Sequence, residues 1–362
     1  MSMTAAPAAA LPQAPSGRGR CSSFPSSWYG DANRVGPTNQ EDAGDLMHDR
    51  LTLTFIEQAA ERIQPHLRPT PVLERELADA TLFLKAECLQ PTGAFKLRGA
   101  FHKLLSLPDD GSGVVAHSSG NHAQAVARAA RLLNRPATIV MPSDAPPVKV
   151  ARTGADGAEI VRVGPDSNER KARAAELAKL HGLHPVDPYN DPYIAAGQGT
   201  CALELLKEVG SIDRFYAPVS GGGLMSGCSV VVAALCPNAE IIAVEPSGKD
   251  AFKRSMEAGE RRAVDEARTI ADGLRVRIPG DQTWEVLKRR VHRAITVTDE
   301  EMLEAMAWAM RELRVVLEPS GATALAGAMR EGRGRCGVIL TGGNLSDEML
   351  RQAAMIPEDR TS

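Results

Sequence analysis

Apolar and polar positions change period along the chain, and the changes mark out the elements. Thr54-x-x-Glu57 forms a capping box ahead of Ile56, Ala59, Ala60 and Ile63, a helical spacing that places the onset of order near Thr54. From there short β-rich runs alternate with amphipathic stretches. The runs are Leu82–Ala86, Val114–His117, Ala137–Met141, Glu159–Val163, Phe215–Val219, Glu240–Val244 and Gly337–Leu340. Between them lie helical patterns at Asn121–Leu133, Glu169–Leu180, Ala195–Val209, Leu224–Leu235 and Asp299–Leu313. Strands that alternate with helices of about 10–15 residues predict βαβ units, a parallel sheet covered on both faces and an α/β fold.

The length of 362 residues predicts two domains or one large one. With 43% hydrophobic and 24% charged residues the chain belongs with soluble globular proteins, and it should bury a sizeable core. Its 42 basic and 45 acidic side chains leave a formal net charge of −3, so no basic field argues for nucleic acid or an anionic membrane as partner. The densest apolar stretch, Val230–Cys236, is far shorter than the roughly 20 residues needed to span a bilayer. A small-molecule enzyme is the leading class. Cys21, Cys88, Cys201, Cys228, Cys236 and Cys336 show neither C-x-x-C pairing nor zinc-finger spacing, and read as reduced thiols in a cytosolic protein.

The first 50 residues are rich in Ala and Pro, then Ser, Gly and Arg, with no acidic residue before Asp31, and read as a disordered tail. They lack the charged n-region and apolar h-region of a secretory signal. Their acid-free start leaves an organelle transit peptide open beside the cytoplasmic default, although Arg18 and Arg20 are few for that role.

In open α/β sheets ligands collect at the carboxyl ends of strands, where five segments stand out. In Pro91-Thr-Gly-Ala-Phe-Lys96-Leu-Arg-Gly-Ala100, Lys96 falls near a helix start, where a cation is disfavoured; it is either a solvated surface lysine or an amine of lowered pKa. Ser118-Ser119-Gly120-Asn121-His122 opens a helix whose free N–H groups suit a carboxylate or phosphate, or it is an ordinary serine cap. Ser220-Gly-Gly-Gly-Leu224 predicts positive φ or a close ligand approach, with phosphate the natural guest. Asp187-Pro-Tyr-Asn-Asp-Pro-Tyr to Gly199-Thr200 reads as a domain junction leading into a helix. Thr341-Gly-Gly-Asn344 follows the last strand, with Glu318-Pro-Ser-Gly321 upstream. A dinucleotide fingerprint built on Gly221, Gly223, Gly227 and Glu245 misses the G-x-G-x-x-G spacing by one residue and leaves Lys96 without a task.

Taken together and in this order, P-T-G-A-F-K-L-R-G-A, S-S-G-N-H-A-Q-A, A-G-Q-G-T, S-G-G-G-L and T-G-G-N resemble the serine/threonine dehydratase and serine racemase group of fold-type II pyridoxal-phosphate enzymes, over Leu51 to Met355. The resemblance implies two open parallel-sheet α/β domains with the cofactor between them: a large one from residues 51–108 and 191–356, and a small substrate-loop one from 109–190. It implies that Lys96 forms the Schiff base, that Ser220, Gly221, Gly222, Gly223 and Leu224 cradle the phosphate, and that Asn121 bonds the ring oxygen. Phe95 then packs on the ring, Glu318 lies at the cofactor and Thr341 faces the pyridine nitrogen. Ser118, Ser119, Gly120, Asn121 and His122 receive the substrate carboxylate.

A hydroxyl rather than a carboxylate at the pyridine nitrogen makes a shallower electron sink and favours prompt β-elimination. The implied activity is an ammonia-lyase: Lys96 takes the α-proton of a 3-hydroxy amino acid of the threonine or serine type, the β-hydroxyl leaves, and the enamine hydrolyses to a 2-oxo acid and ammonia. Serine racemase is the alternative, with Ser119 as the acid opposite Lys96; so is a dehydratase for phenylserine or 3-hydroxyaspartate, with Arg275 or Arg277 reading the extra carboxylate. The chain ends soon after the T-G-G-N helix, which predicts no end-product regulatory domain. Glu245 matches a metal ligand of metal-activated relatives, but Ala251 stands at the aspartate position and Asp250 is one residue out, so divalent metal is expected weakly or not at all. The implied assembly is a homodimer or homotetramer.

Overall fold

Two sheets carry the loops singled out above. The computed structural model describes residues 46–118, 120–145, 147–265 and 268–357. In chain order these form α1 (Met47–Arg50), α2 (Leu53–Ile63), β1 (Val72–Glu76), β2 (Ala80–Lys85), α3 (Lys96–Leu105), β3 (Val114–His117), α4 (Asn121–Leu132), β4 (Ala137–Pro142) and α5 (Pro147–Ala155). Next come β5 (Glu159–Val163), α6 (Ser167–His181), β6 (His184–Pro185), α7 (Pro192–Val209), β7 (Arg214–Pro218), α8 (Gly223–Leu235), β8 (Glu240–Pro246) and α9 (Ala251–Ala258). The last are α10 (Asp281–Leu287), β9 (Arg293–Val297), α11 (Asp299–Trp308), α12 (Pro319–Glu331), β10 (Gly334–Ile339) and α13 (Asp347–Ala354).

One sheet has the order β1-β2-β10-β7-β8-β9, the other β5-β4-β3-β6. Every pairing is parallel except that of β1 with β2. The all-parallel expectation is corrected there. A turn of three residues joins the two strands, and so short a link permits only an antiparallel hairpin. β1 itself escapes a search for apolar runs because it is V-L-E-R-E, a half-exposed edge strand carrying the charges that discourage further pairing.

Alternate side chains of the larger sheet enter two cores. Phe83, Phe215, Ala217, Ile241 and Ala243 pack with α2, α7, α8 and α10; Leu82, Leu84, Tyr216, Ile242 and Val338 pack with α11 and α12. The expected helix start at Thr54 moves back by two residues: Thr52 is the cap and its side chain accepts from the Phe55 N–H. The expected tail ending at residue 50 is corrected too, since α1 lies inside it and Met47 and Leu51 are buried in the first core. Residues 1–45 lie outside the described residues. Among the described residues no helix is long and apolar enough to cross a membrane.

The A-G-Q-G segment lies within α7 and sets how near its neighbours come. A side chain at Gly197 would meet the backbone of Arg98 and Gly99 on α3, and one at Gly199 the backbone of Gly227 on α8. Glycine therefore brings α3 and α8, which carry the Lys96 and triple-glycine loops at their starts, into backbone contact with one helix.

Candidate active site

Lys96 is the first residue of α3, and the loop before it is held by the T-G-G-N turn. Phe95 N–H donates to the Thr341 carbonyl (3.0 Å), Gly343 N–H to Gly93 O (2.9 Å) and the Asn344 amide to Thr92 O (2.7 Å). Gly93 has φ of +72°, and a Cβ there would press on the Asn344 amide. The Lys96 amine donates to Pro188 O at 2.7 Å and lies 5.1 Å from the centre of the Phe95 ring. Burial brings its pKa down to about 8, while the charge of Asp187 resists the fall. Of the two readings left open by the sequence, the solvated surface lysine is set aside.

Asn121, the first residue of α4, joins its own segment to both parts of the last one. Its amide donates to Glu318 Oε1 at 2.6 Å and its oxygen accepts from Asn344 at 2.9 Å. Glu318 caps no N–H with its side chain but opens α12, and burial raises its pKa to about 8. Thr341 is buried beside it, its hydroxyl donating to Ser320 O at 3.2 Å. Ser118 Oγ accepts from Gly120 N–H at 3.2 Å. Ser119 lies outside the described residues.

The triple-glycine turn runs from β7 into α8. Gly222 has φ of +102°, a backbone that other residues rarely adopt, and it is the N-cap of α8. The Gly221 carbonyl accepts from Gly280 N–H (3.1 Å) and from the Thr283 hydroxyl (2.6 Å). A Cβ at Gly221 would fall inside the Tyr189 ring, and one at Gly223 would meet the Tyr189 backbone. Ser220 Oγ accepts from Val276 N–H at 3.3 Å, leaving its proton free to donate. Leu224 turns into the core.

Four further residues that the sequence raised are placed as follows. His122 is buried and bonded through Nε2 to Val186 O (3.0 Å); burial lowers it to about 3, so its imidazole is a neutral packing group of α4. Arg275 donates to Thr269 O and Arg277 to Val264 O within their own loop, and Val276 between them donates to Ser220 Oγ of the glycine turn. Both oxygens of Glu245 accept N–H groups at the start of α9, Oε1 from Phe252 (2.9 Å) and Oε2 from Lys253 (2.7 Å). Burial still pushes that carboxyl up to about 8. It works as a cap for the start of α9.

Asp187, Pro188 and Tyr189 escaped the sequence reading as site residues, since D-P-Y-N has the look of a junction. The available signal was the Asp-x-x-Asn turn chemistry just before α7. Arg98, Glu87 and Glu204 escaped as well, because an arginine two residues after Lys96 reads as surface charge until its burial is known.

These residues fit a phosphate-bearing aldehyde such as pyridoxal phosphate. A lowered-pKa amine stands by a glycine turn that opens a helix of thirteen residues, whose N–H groups and dipole suit a phosphate. Comparisons with known proteins agree. The family model for "Pyridoxal-phosphate dependent enzyme" matches residues 63–342. The L-threo-3-hydroxyaspartate ammonia-lyase of Saccharomyces cerevisiae is 40% identical over 309 residues, 82% of this chain and 94% of that protein. Among solved structures, maize serine racemase superposes with a TM-score of 0.80 at 37% identity, covering 84% of this chain and 97% of that one. The T.th. threonine deaminase gives 0.78 at 40% identity, covering 82% and 99%. Motifs, fold and comparisons converge: the chain belongs to the pyridoxal-phosphate dependent enzymes, in the fold-type II group that contains the serine racemases and the hydroxy amino acid ammonia-lyases.

Proposed function

We propose that this enzyme is an ammonia-lyase for 3-hydroxy amino acids, with L-threo-3-hydroxyaspartate the preferred substrate. In this reading Lys96 carries the cofactor, Ser220 to Gly223 hold its phosphate, Asn121 orients its ring, and Phe95, Glu318 and Thr341 surround it. When bound, pyridoxal phosphate supplies an electrophile for the substrate amine and a sink for the electrons left at the α-carbon. Lys96 takes the α-proton, the Ser118–Gly120 turn binds the α-carboxylate, and the β-hydroxyl leaves as water; water addition then releases ammonia and a 2-oxo acid. The neutral Thr341 hydroxyl keeps the sink shallow, so elimination outruns reprotonation. The same reading takes the protein to be a cytoplasmic homodimer or homotetramer.

The observation that favours a dicarboxylic substrate is the charge around His117, which ends β3 directly before the Ser118 turn. Burial lowers its pKa, Asp187 opposes this, and the cations Lys171 and Arg170 of α6 lower it further. Lys171 and Arg170 thus act on His117 beside the carboxylate-binding turn, and Arg170, which also donates to Pro165 O in its own loop (2.6 Å), is taken as the candidate for a second carboxylate. This reading favours α6 over the sequence-based candidates Arg275 and Arg277.

A screen of 3-hydroxy amino acids for 2-oxo acid and ammonia should give the highest kcat/KM with L-threo-3-hydroxyaspartate, and less than one D-isomer per 2-oxo acid formed. Arg170→Gln should lower kcat/KM for hydroxyaspartate about 10–100-fold, the worth of a charged hydrogen bond, while serine changes less than about threefold. A preference for threonine or serine, or an equal loss on both substrates, would sink the dicarboxylate reading.

A further inference from the structure

The segment between β6 and α7 touches both the Lys96 amine and the triple-glycine turn. Asp187 Oδ1 accepts from Tyr189 N–H (3.0 Å) and from Asn190 N–H (2.7 Å), closing a turn over Pro188. The Pro188 carbonyl inside that turn is the acceptor for the Lys96 amine. The Tyr189 ring lies against Gly221, where any side chain would displace it. Asn190 donates to Asp281 Oδ1 (2.6 Å) and accepts from Gln282 N–H (3.2 Å), both in α10. α10 in turn holds Gly221 through Thr283. One turn therefore ties the amine to the triple-glycine cradle.

We propose that Asp187 is a positioning residue for Lys96: its carboxylate closes the turn that presents the Pro188 carbonyl to the amine, and its charge acts on that amine. The assignment rests on the reading of Lys96 as the cofactor-bearing amine. A base that must take and return a proton works best with a pKa near the working pH. Burial alone would carry Lys96 further below its present value of about 8, and Asp187 holds it there.

The other groups facing the amine do not supply this charge. His122, on α4, is held neutral by burial, and His117, on β3, is lowered by burial and by Lys171 and Arg170. Tyr189 is pushed up to about 12 by burial and stays neutral; Asp281 and Arg261, of opposite sign, act on it rather than on Lys96. Asp187 is accordingly the carboxylate whose charge reaches Lys96.

The test uses the full chain freed of cofactor and titrated with pyridoxal 5′-phosphate across pH 6–10, following the visible absorbance of the covalent link. Asp187→Asn keeps the Oδ1 acceptor and so the turn, but removes the charge. Its midpoint for link formation should fall about one pH unit, with unfolding temperature near native. Asp187→Ala removes the turn as well and should bind the cofactor about tenfold more weakly than Asp187→Asn. Should Asp187→Asn fail to fold, Asp187→Glu retains the charge and is expected at the native midpoint. A native midpoint in Asp187→Asn, a displaced one in Asp187→Glu, or equal affinity of the Ala and Asn variants overturns the proposal. Borohydride reduction and peptide mapping of the native protein separates the two readings. Label on another lysine removes the Lys96 assignment itself, whereas label on Lys96 with an unmoved Asp187→Asn midpoint removes only the role of Asp187.

Discussion

Lys96→Ala is expected to lower kcat by about 10⁴-fold or more while leaving phosphate binding in place. General base catalysis alone contributes about 10²–10⁴-fold, and here the same amine also carries the cofactor. The cradle should survive because its contacts are made by Gly221 to α10 and Tyr189, not by the lysine. Cofactor should therefore still bind, but without the visible absorbance of the covalent link. A variant retaining more than about a hundredth of native turnover would remove Lys96 from the mechanism.

The same substitution has a signature in stability without cofactor. The folded pKa of Lys96, about 8, lies below the 10.5 of an exposed lysine. The unfolded chain thus binds more protons between those values, and stability rises with pH across that window. The burial penalty is complete below about 8 and gone above 10.5. Relative to Lys96→Ala, the native protein should gain stability as pH climbs from about 8 to 10.5, read by urea unfolding at several pH values. A constant difference across that window would mean the amine is not desolvated.

Arg98→Met is expected to produce the largest loss of stability, about 3–5 kcal/mol. Arg98 is completely buried and uses its whole guanidinium. Nε and Nη2 bond the two oxygens of Glu87 at 2.7 Å, and Nη2 and Nη1 bond the two oxygens of Glu204 at 2.7 Å; Nη1 also reaches Thr200 at 3.0 Å. Lys85, equally buried, pairs with Glu204 at 2.7 Å. Burial pushes the Glu87 carboxyl upward, but Arg98, Thr70 and Lys85 hold it below the usual carboxylate range. Removing the arginine leaves that carboxylate buried with one cation for two anions. A domain stable by about 5–15 kcal/mol would lose a large part of its margin. Arg98→Lys should recover little, because an ammonium cannot fork to two carboxylates. Unfolding within about 1 kcal/mol of native would show that the network relaxes around the loss.

Arg98 also shows where sequence reasoning stops. Its neighbour Lys96 was legible because a lysine at a loop-to-helix entry has a local consequence, set by helix N–H groups next to it in the chain. The triple glycine was legible for the same reason: Gly222 needs its positive φ from local backbone alone. Arg98 has no such signal, since the partners that make it structural lie 11 and 106 residues away. Asp187 was seen as a turn residue, which it is, but its nearness to Lys96 requires β6 to end beside α3.

Periodicity placed the strands at 114–117 and 159–163 without error, and those at 80–85, 137–142, 214–218, 240–246 and 334–339 to within a few residues. Most of these are buried on both faces, so their apolar character is continuous. β1, β6 and β9 were missed: β1 carries charge at an edge, β6 has two residues, and β9 reads R-A-I-T-V with three positions part-exposed. Which way Arg275 and Arg277 face was not legible either, because a loop arginine's direction depends on which carbonyls the fold leaves within reach.

What the amino-acid order determined by itself is therefore the alternation of strand and helix, the glycines at the cradle and the lysine at the head of α3, each enforced by neighbours within a turn or two. The tertiary structure alone decided which of these loops meet, which charged residues are buried, and that Asp187 and Pro188 stand over the Lys96 amine. Those outcomes depend on long-range packing, where burial changes a side chain's protonation and partners, and no local pattern encodes the desolvation that lowers Lys96 to about 8.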